Sequence, residues 1–255
     1  LSRGGGPPPP PPPPQARRRT KMGPPFDLAC ADLAPACAGV FRRTGRVHIP
    51  GALKAAGAAA LHGALAGDAP WALVVNAGDA VYDLPAGTGE TAADIARLAA
   101  ERGRAGFQFL FESIRLSDHG EPYEGDNAVF RALTVFLNSP AFLDFARAVT
   151  GDAAIAFCDA QATRYRPGHF LTVHDDGNEG KNRRAAIVLN LTPGWIADWG
   201  GLLQFIDEDG HVAEAFTPAF NALNLFRVPQ RHAVSYVNPL AAGDRLSVTG
   251  WLRSL

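Results

Sequence analysis

Gly200-Gly201-Leu202-Leu203-Gln204-Phe205-Ile206, Asp207-Glu208-Asp209-Gly210 and His211-Val212-Ala213-Glu214-Ala215-Phe216 read in succession as a strand, a turn ending in Asp-Gly and a returning strand. The pattern repeats on both sides. Ala185-Ala186-Ile187-Val188-Leu189-Asn190-Leu191 is a continuous apolar run of strand length, suited to a sheet covered on both faces. Residues 220–228 and 232–237 give two more short strands, and residues 245–252 a last one. Many short strands joined by turns, with no helical periodicity between them, predict a mainly β fold: a double-stranded β-helix, the jelly-roll barrel of two packed sheets.

Alternation along the last strand sets Arg245, Ser247, Thr249 and Trp251 on one face and Leu246, Val248, Gly250 and Leu252 on the other. On a half-buried surface strand the polar face looks at solvent. On a strand lining a barrel it would present a guanidinium flanked by hydroxyls, which is a carboxylate receptor.

Upstream, His174-Asp175-Asp176 sets an imidazole and a carboxylate two residues apart. In an extended segment both point to one side while Asp175 faces away. With His232, from Pro229-Gln230-Arg231-His232, they make the set H-x-D…H, which can hold iron(II) on one face and leave the opposite face open. A lone H-x-D is a frequent chance pattern in polar loops. Here the pair falls near the start of the predicted barrel and His232 near its end, so the three can meet in its mouth.

With these pieces together, the chain resembles the iron(II)- and 2-oxoglutarate-dependent oxygenases, and within them the prolyl-hydroxylase-like group. The resemblance covers roughly residues 155–252. It rests on Arg164-Tyr165-Arg166-Pro167-Gly168-His169-Phe170-Leu171 leading into His174-Asp175-Asp176, and on Val188-Leu189-Asn190-Leu191 followed by Trp199-Gly200-Gly201-Leu202-Leu203. Arg231-His232-Ala233-Val234 and Arg245-Leu246-Ser247-Val248-Thr249-Gly250-Trp251 complete it. The resemblance implies His174, Asp176 and His232 as ligands of Fe(II), Arg245 as the group that binds the distal carboxylate of 2-oxoglutarate, and Tyr165 and Thr249 as its hydroxyl partners. The chain departs from the oxygen-sensing relatives at Val188, where those proteins often place a Tyr, and in a longer loop between His232 and Arg245.

The implied reaction consumes oxygen and 2-oxoglutarate, releases succinate and CO2 and hydroxylates an unactivated carbon, with ascorbate as an accessory reductant. The expected substrate is a prolyl residue of a protein or peptide. A small molecule, such as a free amino acid or secondary metabolite, is the alternative. A non-catalytic binding or sensing barrel is the reading from another class, and the complete set His174, Asp176, His232 and Arg245 speaks against it. Asp175, Glu179, Asp207, Glu208 and Asp209 fall in loops near the inferred mouth and would attract a basic chain, partly offset by Lys181, Arg183 and Arg184.

Residues 1–21 hold Gly4-Gly5-Gly6, the run Pro7 to Pro14 and Arg17-Arg18-Arg19, with no periodic apolar residues. Such a composition cannot form a core, so the expectation is a disordered or polyproline-like segment. It has no apolar run of the kind a secretory signal needs. The sole methionine, Met22, follows directly, which makes Met22 the expected native start and the preceding stretch an upstream addition; a Pro-rich docking arm is the alternative. Five of the 24 Lys and Arg residues lie in this segment and none of the 25 Asp and Glu, so the remainder is acidic on balance. An acidic domain without a basic stripe argues against a nucleic-acid partner. No apolar stretch reaches membrane-spanning length, so no membrane association is expected.

Residues 22–255 are expected to form one oxygenase domain, with 22–151 as a helical support region around a first strand at 45–50, and 152–255 as the jelly-roll core. Helices are predicted near 52–66, over 91–103 and over 127–149, the last broken at Ser139-Pro140. Cys30, Cys37 and Cys158 are too few and too irregular for a disulfide framework, which points to free thiols and a reducing cytoplasmic setting. His48, His62, His119 and His211 lack partners at ligand spacing and read as structural. His169, Trp195, Trp199, Tyr82 and the stretch Phe107-Gln108-Phe109-Leu110-Phe111 read equally as cleft or as packing.

Overall fold

A computed structural model describes residues 26–85, 90–178 and 180–255; the segment 1–21, Met22 and Glu179 lie outside the described residues. In chain order the elements are α1 (Ala34–Thr44), β1 (Arg46–Ile49), α2 (Ala55–Ala66), β2 (Ala72–Ala77), β3 (Ala80–Pro85), α3 (Glu90–Gly103), β4 (Phe109–Ser117), α4 (Ala128–Leu137) and α5 (Pro140–Thr150). Then follow β5 (Phe157–Tyr165), β6 (Phe170–His174), β7 (Arg183–Asn190), β8 (Leu203–Ile206), β9 (Val212–Phe216), β10 (Ala222–Arg227), β11 (His232–Val234) and β12 (Arg245–Arg253).

The strands pair in the order β1-β10-β7-β12-β5-β4-β6-β11-β8-β9, with β2 on β4 and β3 on β2. All of these pairings are antiparallel. The eight strands β5–β12 make the two faces of the jelly roll: β10-β7-β12-β5 on one side and β6-β11-β8-β9 on the other. β1 extends the first face and β4 joins the two.

Period-two alternation decides what each face touches. Ile187 and Leu189 of β7, Leu225 of β10, and Val248 and Leu252 of β12 point outward into one core with Phe41, Leu61, Phe130, Leu133 and Phe142 from α1, α2, α4 and α5. Ala186, Val188 and Phe226 point inward, against Leu203 and Phe205 of β8. The helices therefore buttress the outer face of one sheet, and the polar side of β12 looks into the barrel rather than at solvent.

Local chemistry fixes where the helices stop. Gly45 ends α1 at φ 72° and Gly151 ends α5 at φ 72°. The Asn127 side chain accepts from the N–H groups of Val129 and Phe130 to start α4, and Ser139 followed by Pro140 starts α5. The helix expected from residue 52 begins at Ala55, because Ala52 donates to Asn221 O and Leu53 pairs with Leu28. Among the described residues no single helix is long and apolar enough to cross a membrane.

The expectation of a mainly helical 22–151 needs correction. That region also supplies β2, β3 and β4, and β4 is part of the barrel path. The β2–β3 hairpin turns on Gly78, at φ 62°, and Asp79, between the pair Ala77 and Ala80.

Gly250 sits in β12 between Ala160 of β5 and Ile187 of β7. A methyl group there would run into the Asp159 carbonyl oxygen, with Cys158 Sγ and Ile187 Cγ1 each at 3.3 Å. Gly250→Ala should cost about 1–3 kcal/mol as an overpacked core position. Thermal unfolding should show a melting temperature several degrees lower, and an unchanged one would contradict this packing.

Candidate metal and co-substrate site

His174 is the last residue of β6 and His232 the first of β11, and the two are register partners with ring centroids 4.1 Å apart. Asp176 does not reach them through an extended segment, as alternation predicts. The strand ends at His174 and Asp176 adopts φ 61°, a left-handed conformation in which the chain turns back over the rings. Asp176 Oδ1 then lies 3.6 Å from His174 Nε2, and Oδ2 lies 3.5 Å from His232 Nε2. One ligand atom from each residue falls within 4.8 Å of the others.

The tautomers are set from behind. His174 Nδ1 lies 3.0 Å from Thr172 O, and His232 Nδ1 lies 2.7 Å from Gln230 O, so each Nδ1–H donates to a main-chain carbonyl and leaves a lone pair on Nε2. Burial keeps His232 neutral, its pKa lowered to about 4. Burial raises the Asp176 carboxyl, but the two rings, which attract it when protonated, outweigh burial and hold the group down at about 2. Two lone pairs and a carboxylate facing one point repel unless a cation sits between them. Divalent first-row ions fit this N,N,O set.

Arg183, which the charge reading counts only as a loop cation, braces Asp176. Its Nη1 donates to Asp176 O at 3.1 Å and lies 3.5 Å from Oδ1, while the guanidinium stacks 3.8 Å from the Trp251 ring centroid. Phe107, half exposed, packs over His174 with centroids 5.6 Å apart.

Across the cavity stands Arg245, 1 % exposed, with Nε and Nη1 buried and unpartnered among the described residues. Its neighbour Asp244 cannot neutralise it, since that carboxylate faces Arg164 and Arg166 at 3.9 and 3.6 Å. The guanidinium carbon lies 5.0 Å from the Tyr165 ring centroid, and Thr249 Oγ1 is buried without a partner in the same cavity. Thr163 and Ser247 pair their hydroxyls at 2.8 Å. Gly201, at φ 62°, lets the chain pass close to this arginine, because a Cβ would lie 3.2 Å from Arg245 Cδ and 3.3 Å from Trp195 Cζ2. A buried, uncompensated guanidinium is costly and calls for an anion. The distal carboxylate of a dicarboxylic acid whose other end reaches the His174–Asp176–His232 cluster has the right chemistry.

The remaining ambiguous residues divide cleanly. Phe111 lines the cavity and stacks on Tyr165 at 5.3 Å. His169 is buried behind it, its main chain bonded to Arg166 and Val237, and supports the strand. Trp195 donates to Gly200 O and packs behind the site. His48 and His62 bond Asn224 and Leu191.

Residues 160–253 match the sequence profile of the 2OG-Fe(II) oxygenase superfamily. The matched segment runs from within β5 to the end of β12. The chain is similar to mouse prolyl 3-hydroxylase OGFOD1, 36% identical over 100 residues, which is 36% of this chain and 18% of that protein. It therefore spans under a fifth of the length of that relative. In structure it resembles a Trichoplax adhaerens prolyl hydroxylase solved with a hypoxia inducible factor peptide, at TM-score 0.59 and 14% identity, covering 88% of this chain and 90% of that one. It also resembles the α-ketoglutarate-dependent epimerase SnoN of nogalamycin biosynthesis, at TM-score 0.54 and 13% identity, covering 86% and 82%. The iron(II) and 2-oxoglutarate of that superfamily fit the residues of this barrel: the triad for the metal, and the buried Arg245 for the co-substrate.

Substitution should separate ligand from brace. His232→Ala should abolish iron(II) binding, whereas Arg183→Ala should weaken it about 10- to 100-fold, the usual effect of losing an outer-shell partner. Competition with a calibrated chelator reads both. Wild-type affinity in either variant would contradict its assigned role.

Proposed function

We propose that this protein is an Fe(II)- and 2-oxoglutarate-dependent dioxygenase that hydroxylates a carbon of a prolyl residue in a protein or peptide, with release of succinate and CO2. The observation that carries the co-substrate half of this reading is the buried Arg245, which meets no anion among the described residues, across the cavity from three convergent metal ligands. The prolyl half is supported by the similarity to prolyl 3-hydroxylase and by the likeness in fold to a peptide-bound prolyl hydroxylase.

When bound, the iron supplies a site where the keto acid and oxygen react to give an oxidant able to attack a C–H bond. The chain supplies position and shelter. Arg245 grips the distal carboxylate, with the Thr249 hydroxyl and the Tyr165 phenol beside it, the phenol kept protonated by burial. Phe111, Leu171, Val188 and Phe226 give the cavity apolar walls that limit water around the reacting atoms. Thr172, Gln230 and Arg183 hold the ligands in orientation.

The likeness to SnoN favours one second reading, turnover of a small molecule in the same cavity. We further propose a reducing, cytoplasmic setting, supported by the free buried thiols of Cys30, Cys37 and Cys158.

Arg245→Gln keeps a hydrogen-bonding side chain but removes a charge-assisted contact worth about 1.5–3 kcal/mol. The apparent affinity for 2-oxoglutarate should fall about tenfold to a hundredfold, with iron binding retained; unchanged 2-oxoglutarate dependence would move the carboxylate receptor elsewhere. Incubation with iron(II), 2-oxoglutarate and either proline-containing peptides or free proline, read by mass, should add one oxygen to a peptide. Oxygen found only on the free amino acid would favour the small-molecule reading, and succinate formation with no acceptor would leave the substrate class wrong.

A further inference from the structure

We propose that Arg42, Arg43 and Arg227 form a receptor for an acidic side chain of the polypeptide substrate, so that the enzyme selects prolines with a Glu or Asp a few residues away. This rests on the reading above as a peptide hydroxylase and names the kind of peptide.

The three arginines line a cavity of about 200 Å³ between the end of α1 and the loop from β10 to β11, together with Thr44, Pro229 and Gln230. Other arginines near the barrel are already engaged: Arg46 with Glu214, Arg164 with Glu112, Arg184 with Asp152. Among the described residues Arg42, Arg43 and Arg227 face no carboxylate within ion-pair distance; Arg227 lies 5.8 Å from the Phe41 ring centroid. Arg42 and Arg43 occupy the last turn of α1, where cations are favoured by the helix carbonyl end, and that alone would be ordinary. Arg227 arrives from a different element. Its convergence on the same cavity concentrates positive charge there, which suits a carboxylate.

Gln230 connects this cavity to the iron site. Its side chain lines the cavity, with Nε2 donating to Thr44 O at 3.3 Å and Oε1 buried without a partner. Its carbonyl accepts from His232 Nδ1 at 2.7 Å, and its N–H donates to Asp175 O at 3.3 Å. Two extended residues span about 6.6 Å, so the cavity wall begins within about that distance of the His232 backbone. A peptide with its proline at the iron would bring a residue about two to five positions away over the arginines. The acidic turn at Asp207 is offset in part by Arg231, whose Nη1 donates to the Asp207 carbonyl at 3.0 Å and so sets a cation beside it.

The test uses peptides of one length with a single proline and Glu, Gln or Lys at each of the positions two to five residues away on either side. Turnover is read by mass and binding by fluorescence anisotropy. The best Glu peptide should show a KM about tenfold lower than its Gln counterpart, with similar kcat, a charge effect of the usual interfacial size. Inorganic phosphate should compete with it. In the doubly substituted Arg42→Glu, Arg43→Glu protein, checked for an unchanged melting temperature, the preference should reverse toward Lys while the Gln peptide is turned over as before. A wild-type preference for Lys, no preference at any position, or an unaltered preference in the double variant would overturn the proposal and leave peptide hydroxylation standing. Failure to hydroxylate any peptide while a small molecule accepts oxygen would instead remove the reading on which it rests.

Discussion

Three lone pairs aimed at one point are the constraint on which this structure turns. Nε2 of His174, Nε2 of His232 and the Asp176 carboxylate are held within 4.8 Å of one another by a strand pair, a left-handed turn and two main-chain carbonyls. Each of these devices holds the three groups in an arrangement that a cation makes favourable. Arg245 poses the complementary problem, a buried positive charge that only an anion makes favourable. A metal held by His174, Asp176 and His232 and a dicarboxylic acid held at one end by Arg245 would meet both demands at once. Binding energy for the two is thus stored in the fold as unmet electrostatic demand.

The rest of the molecule makes that demand tolerable. Helices α1, α2, α4 and α5 bury large aliphatic and aromatic side chains against the outward face of β7, β10 and β12. Apolar burial on that face offsets the polar inward face of β12, where Arg245, Thr249 and Trp251 line the cavity. Gly250 is a place where the backbone of β12 approaches the Asp159 carbonyl too closely for a side chain, and Gly201 lies tight against Arg245. Stability and function occupy opposite faces of the same strands.

Much of this was legible in the sequence, for reasons tied to particular residues. The short strands after residue 180 carry period-two patterns and Gly or Asp-Gly turns, and in β12 Leu246, Val248 and Leu252 face the helix-side core while Arg245, Thr249 and Trp251 line the cavity. The order His174, Asp176, His232, Arg245 was readable because His174, His232 and Arg245 lie at strand ends and Asp176 two residues beyond one. The turn at Asp176 was not, since a positive φ at an aspartate leaves no periodic signal. β4 was hidden because its burial is nearly continuous, so that Phe109 to Leu116 offers neither clean alternation nor a helical stripe. Arg183 looked like one charge among several in a loop, and its role exists only through the neighbours Asp176 and Trp251. The arginine cavity draws on residues 42, 43 and 227, and only the pairing of β1 with β10 brings them together.

The central claim is that the metal cluster and Arg245 bind one molecule between them. Anaerobic calorimetry of 2-oxoglutarate with the purified protein, in the presence and absence of saturating iron(II) or manganese(II), tests this most directly. One molecule should bind per chain, at least tenfold more tightly with metal present, and glutarate, which keeps both carboxylates but lacks the ketone, should lose most of that metal-dependent gain. Binding of 2-oxoglutarate that is absent, or indifferent to the metal, would contradict it.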